Sequence, residues 1–203
     1  MKSDKSGFVS RGGTKLRAAL DAFGLEVAGL SCADFGANVG GFTDCLLQAG
    51  AERVFALDTG YGELAWRLRK DPRVVVMERT NALHADCPQA GGVDLVTIDV
   101  AFTPQRLIVP AAGRWLKSGG GKIVSLVKPH YELAKLPAPA RRRDGGKPIE
   151  GEEGKAILDR VCAELAQLGF TAAASIISPL RGKGGNVEFL VLLEPSPGST
   201  VSG

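Results

Sequence analysis

The chain has 203 residues, of which 44% are hydrophobic and 23% charged, and its formal net charge is +3. That length suffices for one domain with a full core, the composition is that of an ordinary globular protein, and so weak a charge makes no global demand for nucleic acid. The cysteines Cys32, Cys45, Cys87 and Cys162 show neither metal-ligand spacing nor the regularity of a disulfide framework, so Cys32 and Cys45 read as reduced core residues. Neither a signal peptide nor an apolar run of bilayer length is present, so a cytoplasmic protein with no membrane partner is expected. Residues 1–9 are polar and read as a flexible N-terminus. Leu16, Ala19, Leu20 and Phe23 then fall at helical spacing, with Gly24 placed to cap the helix. Strands are predicted over 31–35, 53–58, 74–79, 94–99, 122–127, 170–178 and 186–194, and helices over 42–49, 63–70, 104–116 and 152–168. Apolar strands alternating with helices imply an α/β fold with a doubly wound, seven-stranded, mainly parallel sheet of the Rossmann-like kind. The last two strands are joined by ISPLRGKGGNV, too short for a crossover helix, so they should form an antiparallel hairpin. One domain over 10–194 is expected, with an exposed loop over 136–151 and a disordered tail over 195–203.

The most informative stretch is ADFGANVGGFTDCLLQAG, Ala33 to Gly50, which reads as a strand end, a glycine turn and a helix. Gly36, Ala37, Asn38, Gly40, Gly41 and Phe42 make the turn. Glycines let the backbone approach a ligand closely, and the following helix directs its unpaired N–H groups to the same place. The spacing G-x-x-x-G-G differs from the G-x-G-x-x-G of dinucleotide enzymes, and no G-K-[ST] follows as in a P-loop. Asp58 ends the next strand, where a carboxylate can accept bonds from ribose hydroxyls, and Asn81 and Asp99 end the two after it. This combination favours S-adenosylmethionine as cofactor over a ligand-free structural loop, and a parallel sheet closed by a hairpin is the layout of adenosylmethionine-dependent methyltransferases.

Polar residues in apolar settings need an explanation. Lys128 ends the strand KIVSLV, and Pro129 holds it extended and blocks helix entry at that point. Glu188 interrupts NVEFLVLLE, which is otherwise apolar on both faces, so it should be half-buried and partnered. Asp99 ends the fourth strand beside the switch point, and Lys15 lies on the first helix, where a surface charge is the default reading. A buried ion network would account for Lys128, Asp99 and Glu188, although such networks seldom reward stability alone.

The segments SRGGTKLRAALDAF, DFGANVGGFTDCLLQAGAERVFALDTGYGELAWRLRKDPRVVVMERTN, LVTIDVAF, VSLVKPHYE and SPLRGKGGNVEFLVLL resemble the haemolysin-A-type (TlyA) branch of the FtsJ-like RNA ribose 2′-O-methyltransferases. The resemblance runs from about Phe8 to Leu193. It implies a catalytic Lys–Asp–Lys–Glu tetrad at Lys15, Asp99, Lys128 and Glu188, and cofactor contacts at Gly40, Phe42, Asp58, Asn81 and Asp99. Some family members carry an acidic residue where Asn81 stands, but an amide can also bond the adenine edge. The implied reaction methylates a ribose 2′-hydroxyl of ribosomal RNA, on cytidine, with Lys128 accepting the proton, which requires a neutral amine at the moment of attack. Members of this branch usually carry an RNA-binding S4 domain ahead of the methyltransferase. Only a few residues precede SRGG here, so a separate RNA-binding partner is expected to help select the substrate.

Basic residues cluster despite the weak net charge: Arg11 near Lys15, the run Arg141, Arg142 and Arg143 with Lys147, and the pair Arg181 and Lys183. They are the candidate RNA contacts, against the plainer reading of solvated loops. No His/Cys/carboxylate cluster suggests a metal, and His84 and His130 stand isolated. Rival chemistries fit less well. Base N-methylation calls for [DN]-P-P-[YF] where this chain has Asp99–Val100–Ala101–Phe102, and cytosine C5 methylation needs a cysteine nucleophile that neither the fourth nor the fifth strand supplies. A methyltransferase of a different RNA or of a small molecule, and a non-catalytic RNA-binding module, remain as alternatives. A pore-forming haemolysin has no support in a chain without a spanning segment.

Overall fold

The structure, a computed structural model, describes residues 7–134 and 148–196, with the Ala134 and Lys183 side chains outside that description. Its strands are β1 (Ser31–Phe35), β2 (Arg53–Leu57), β3 (Val74–Met77), β4 (Leu95–Ile98), β5 (Lys122–Val127), β6 (Phe170–Ile177) and β7 (Phe189–Pro195). They form a 7-stranded sheet in the order β3-β2-β1-β4-β5-β7-β6. The β1–β2, β2–β3, β1–β4 and β4–β5 pairs are parallel, while β7 runs antiparallel to both β5 and β6. The chain winds outward from β1 through β2 to β3, then crosses back to β4. The switch point therefore falls between β1 and β4, where an open α/β sheet leaves a crevice at the carboxyl ends of its strands.

The helices are α1 (Arg11–Phe23), α2 (Gly41–Gln48), α3 (Trp66–Arg69), α4 (Gln105–Gly113), α5 (Pro129–Ala134) and α6 (Gly151–Gln167). They cover both faces of the sheet, because the central strands are buried on both sides and alternate residues feed two cores. Phe35, Leu57, Ile98 and Ile123 pack with Ile108 and Trp115 of the α4 region and Leu158 and Leu165 of α6. Cys32, Val54, Val124 and Leu190 pack with Leu16 and Leu20 of α1 and Phe42, Cys45 and Leu46 of α2. Gly24 ends α1 in the left-handed conformation, φ 60°, and its N–H returns to the carbonyls of Asp21 and Leu20, as a glycine cap should.

Several expectations need correction. Pro129 does not block a helix: it is the first residue of α5, a position where the missing N–H costs nothing and the fixed φ suits the helix. The loose N-terminal stretch does not extend to residues 8 and 9. Phe8 is buried against Gly13, and the Val9 N–H donates to Asp44 Oδ2 at 2.8 Å. The loop expected over 136–151 is not exposed at its end: Ile149 is 1% exposed, accepts from the Val187 N–H and donates to Asn186 Oδ1. Residues 135–147 lie outside the described residues. The last strand begins at Phe189, later than expected, so Glu188 precedes the ladder and is buried, not half-buried. Pro195 closes that strand and does not open the tail.

Candidate active site

After β1 the chain turns through Gly36 (φ 86°), Asn38 (φ 47°) and Gly40 (φ 100°) into α2. The glycines are needed for conformation and for space. A Cβ on Gly36 would lie 2.6 Å from the Asp99 carbonyl oxygen, and one on Gly40 would lie 2.2 Å from Leu68 Cδ1. The turn is thus wedged between the exit of β4 and helix α3. The N–H groups of Gly36 and Ala37 both donate to the Leu57 carbonyl at 2.9 Å. Asp58, just after β2, accepts from the Asn38 N–H at 2.8 Å and from the Gly60 N–H at 2.7 Å. Its carboxylate therefore shapes the turn as well as facing the cleft.

Two lobes of a cleft open over the switch point, about 360 Å³ and 330 Å³, and both touch Gly36, Asn38, Asp99 and Ala101. Asp58, Thr80, Asn81, Val100 and Phe102 wall one lobe. Asn81 Oδ1 accepts from the Leu83 N–H at 3.0 Å, which orients its carboxamide. Ser10, Lys15, Phe42, Lys128, Arg181 and Gly182 wall the other. These residues fit S-adenosylmethionine. The turn's glycines let its backbone line the cleft closely, and Asp58 offers an acceptor for ribose hydroxyls in the lobe that holds the Asn81 amide.

The four tetrad positions converge as two ion pairs. Lys128 Nζ lies 2.6 Å from Asp99 Oδ1 and donates to the Val100 carbonyl at 3.1 Å. Lys15 Nζ lies 2.5 Å from Glu188 Oε2, with only 12% and 4% of their side chains exposed. The elements supply these positions separately: Lys15 from the first turns of α1, Asp99 after β4, Lys128 between β5 and α5, Glu188 before β7. Gly182 backs the second pair closely, since a Cβ there would lie 2.1 Å from Glu188 Oε1. Arg11 reaches across from α1 to the Arg181 carbonyl at 3.1 Å, so both arginines stand with Lys15 at the same lobe. Arg141, Arg142, Arg143 and Lys147 lie outside the described residues, as does the Lys183 side chain.

The sequence reading missed an aromatic lip. Phe102 sits at φ 64° and is 69% exposed, and its ring centroid is 4.9 Å from that of Tyr131. A bulky residue in left-handed backbone is rare and marks a constrained site. The only signal in the sequence was an aromatic in a turn directly after Asp99. Lys128 Nζ stands 5.9 Å from the Tyr131 ring centroid, and the His130 ring lies against the same ring, tilted, at 4.1 Å. Burial holds the His130 imidazole below its usual range, the Glu188 charge opposing this and Lys128 adding to it.

A second buried acid lies beneath the turn. Asp34 of β1 is fully buried and accepts from Thr43 Oγ1 of α2 at 2.7 Å and Thr97 Oγ1 of β4 at 3.1 Å. Burial pushes its carboxyl up to about 7, against the two hydroxyl hydrogen bonds. Among the described residues no group of three or more His, Cys, Asp or Glu side chains is placed to hold a metal, and no helix is long and apolar enough to cross a membrane.

A family model, FtsJ-like methyltransferase, matches residues 8–194. The chain belongs to the FtsJ-like methyltransferase family. It is 43% identical over 187 residues to the 16S/23S rRNA (cytidine-2′-O)-methyltransferase TlyA of Mycobacterium tuberculosis, covering 92% of this chain and 68% of that protein. It is 36% identical over 188 residues to hemolysin A of Brachyspira hyodysenteriae, covering 90% and 75%. A solved structure of a hemolysin-type protein from Streptococcus thermophilus superposes with a TM-score of 0.84 at 37% identity, over 97% of this chain and 70% of that one. As an FtsJ-like methyltransferase the chain is an S-adenosylmethionine-dependent enzyme.

Proposed function

We propose that this enzyme methylates a ribose 2′-hydroxyl of ribosomal RNA, on cytidine, through Lys15, Asp99, Lys128 and Glu188. The observation that carries the reading is the pairing of Lys128 with Asp99 and of Lys15 with Glu188 at one lobe of the cofactor cleft. When bound, S-adenosylmethionine supplies an electrophilic methyl group on a sulfonium. Gly36, Ala37, Asn38, Gly40, Gly41 and Phe42 would hold its amino-acid end, and Asp58 and Asn81 its nucleoside. Lys128, having first given up one proton so that its amine is neutral, accepts the hydroxyl proton as the oxygen attacks and becomes the ammonium. Asp99 and the Val100 carbonyl fix Nζ in place for that transfer, and Lys15 keeps the buried Glu188 charge compensated. Much of the rate comes from holding hydroxyl and methyl in line.

RNA as the substrate is supported by the cations at the same lobe, Arg11, Lys15 and Arg181, and by the exposed Phe102 ring, a surface on which an unstacked base can lie. Arg141, Arg142, Arg143, Lys147 and Lys183 are proposed as further RNA contacts from their basic charge in the sequence alone. The relatives named for ribosomal RNA methylation favour that RNA. A separate RNA-binding partner belongs to the same proposal. The test is methyl transfer from labelled S-adenosylmethionine to purified ribosomal subunits, intact ribosomes, transfer RNA and a small-molecule panel, followed by mapping of the label. Label on a ribosomal cytidine ribose is the expected result; label on a base, on transfer RNA alone or on a small molecule would replace this reading.

A further inference from the structure

Trp66 opens the short helix α3 and is 71% exposed. A lone exposed apolar residue needs no explanation, but this ring is set among cations and beside the cleft. Its surroundings are basic. Lys70 Nζ stands 4.8 Å from its ring centroid. Arg67 pairs with Asp44 and Arg69 pairs with Glu78. Nearby, Arg79 stacks over the exposed Tyr61 ring at 4.2 Å. Among the described residues the contacts of Lys70 and Arg79 are with these rings, and neither cation has an acidic partner.

The patch is tied to the glycine turn and borders the cleft. Glu78 accepts from the Gly62 N–H at 2.8 Å and also binds Arg69, so it ties the segment after β2 to α3. The Ala65 N–H donates to the carbonyl of Val39, a cleft-lining residue, at 3.0 Å. Leu64 and Leu68 press against Gly40 of the turn. Trp66 is therefore one residue from a direct contact with the cleft wall. A flat ring with an ammonium over it suits a stacked base with an adjacent phosphate better than an apolar protein surface, because the cation would be desolvated without a counter-charge in the latter.

We propose that Trp66 stacks an unpaired base of the RNA substrate outside the target nucleotide, while Lys70 meets a neighbouring phosphate. This rests on the RNA reading above. The chain has 2 tryptophans, and Trp115 is fully buried with its indole N–H bonded to the Ala85 carbonyl. Tryptophan emission that responds to RNA therefore reports Trp66, and the W66F variant supplies the Trp115 background.

The test follows emission and, in parallel, the anisotropy of a labelled short single-stranded RNA drawn from ribosomal sequence, with the same strand as a duplex for comparison. The single strand should quench Trp66 in step with binding, and the duplex should quench it far less. W66A should weaken binding about ten-fold, a usual effect of removing one stacking ring, while W66F weakens it much less. K70A should lower the salt slope by about one. W66A should melt with the wild type, since the ring is exposed. RNA binding with unchanged Trp66 emission and an unaffected W66A would overturn the proposal and leave the patch to a protein partner. Absence of any RNA binding by the wild-type enzyme would overturn the RNA reading as well.

Discussion

Lys128 Nζ is held between two acceptors of one strand exit, Asp99 Oδ1 at 2.6 Å and the Val100 carbonyl at 3.1 Å. Both come from the turn after β4, so the lysine at the end of β5 is fixed by its parallel neighbour. Replacing Lys128 with alanine should lower single-turnover methylation by about 10² or more, the scale of general acid–base contributions, and leave cofactor affinity nearly unchanged. A fully active variant would remove Lys128 from the proton-accepting role.

The Lys15–Glu188 pair predicts a different signature. Glu188 is buried, so Lys15→Ala leaves its carboxylate without its counter-charge and should cost about 3 kcal/mol of stability. The double change Lys15→Met with Glu188→Leu should recover most of that stability and none of the activity. Denaturant melts beside turnover assays separate the two effects; a double variant as unstable as Lys15→Ala would mean that packing, not charge, sets the cost.

Cofactor binding should depend on backbone space at the turn. In Gly36→Ala the new methyl meets the Asp99 carbonyl in a left-handed conformation, so affinity for S-adenosylmethionine should fall steeply. Asp58→Ala should lose both an acceptor in the cleft and the bonds to Asn38 and Gly60. In wild type, S-adenosylmethionine or its demethylated product should raise the melting temperature by linkage, and NAD should not. Calorimetric titration of the variants checks the first two expectations.

Asp34 makes stability fall as pH rises. Its folded-state value of about 7 lies above the ordinary 3.8, so the folded protein keeps a proton that the unfolded chain has released. The resulting stability is full below about pH 4 and is lost towards pH 7, at most about 1.4 kcal/mol per pH unit. Asp34→Asn, which stays neutral, should flatten the curve in that window. Urea melts across it would show two parallel curves if Asp34 carried no such linkage.

Phe102 trades backbone comfort for a surface ring. Phe102→Gly should relieve the left-handed backbone at φ 64° and leave the melting temperature equal or slightly higher. It should also raise the KM for RNA about ten-fold, since an exposed ring at the cleft edge is lost. An unchanged KM would mean that the ring serves only its contact with Tyr131.

The sheet is legible in the sequence because local chemistry writes it. Apolar runs such as SCADF and KIVSLV, and the helical spacing of Leu16 to Phe23, report burial through the pattern of the chain itself. The glycine turn was legible for the same reason, since its conformation is a property of those residues. Pro129 misled because proline forbids a helix interior yet favours a helix start, and the sequence does not say which applies. Lys15 and Glu188, 173 positions apart, were read together through family likeness, and only the tertiary fold shows which acid each lysine takes. The exposure of Phe102 and Trp66 is not written in the sequence: it depends on what the rest of the chain packs against, and that is decided in three dimensions.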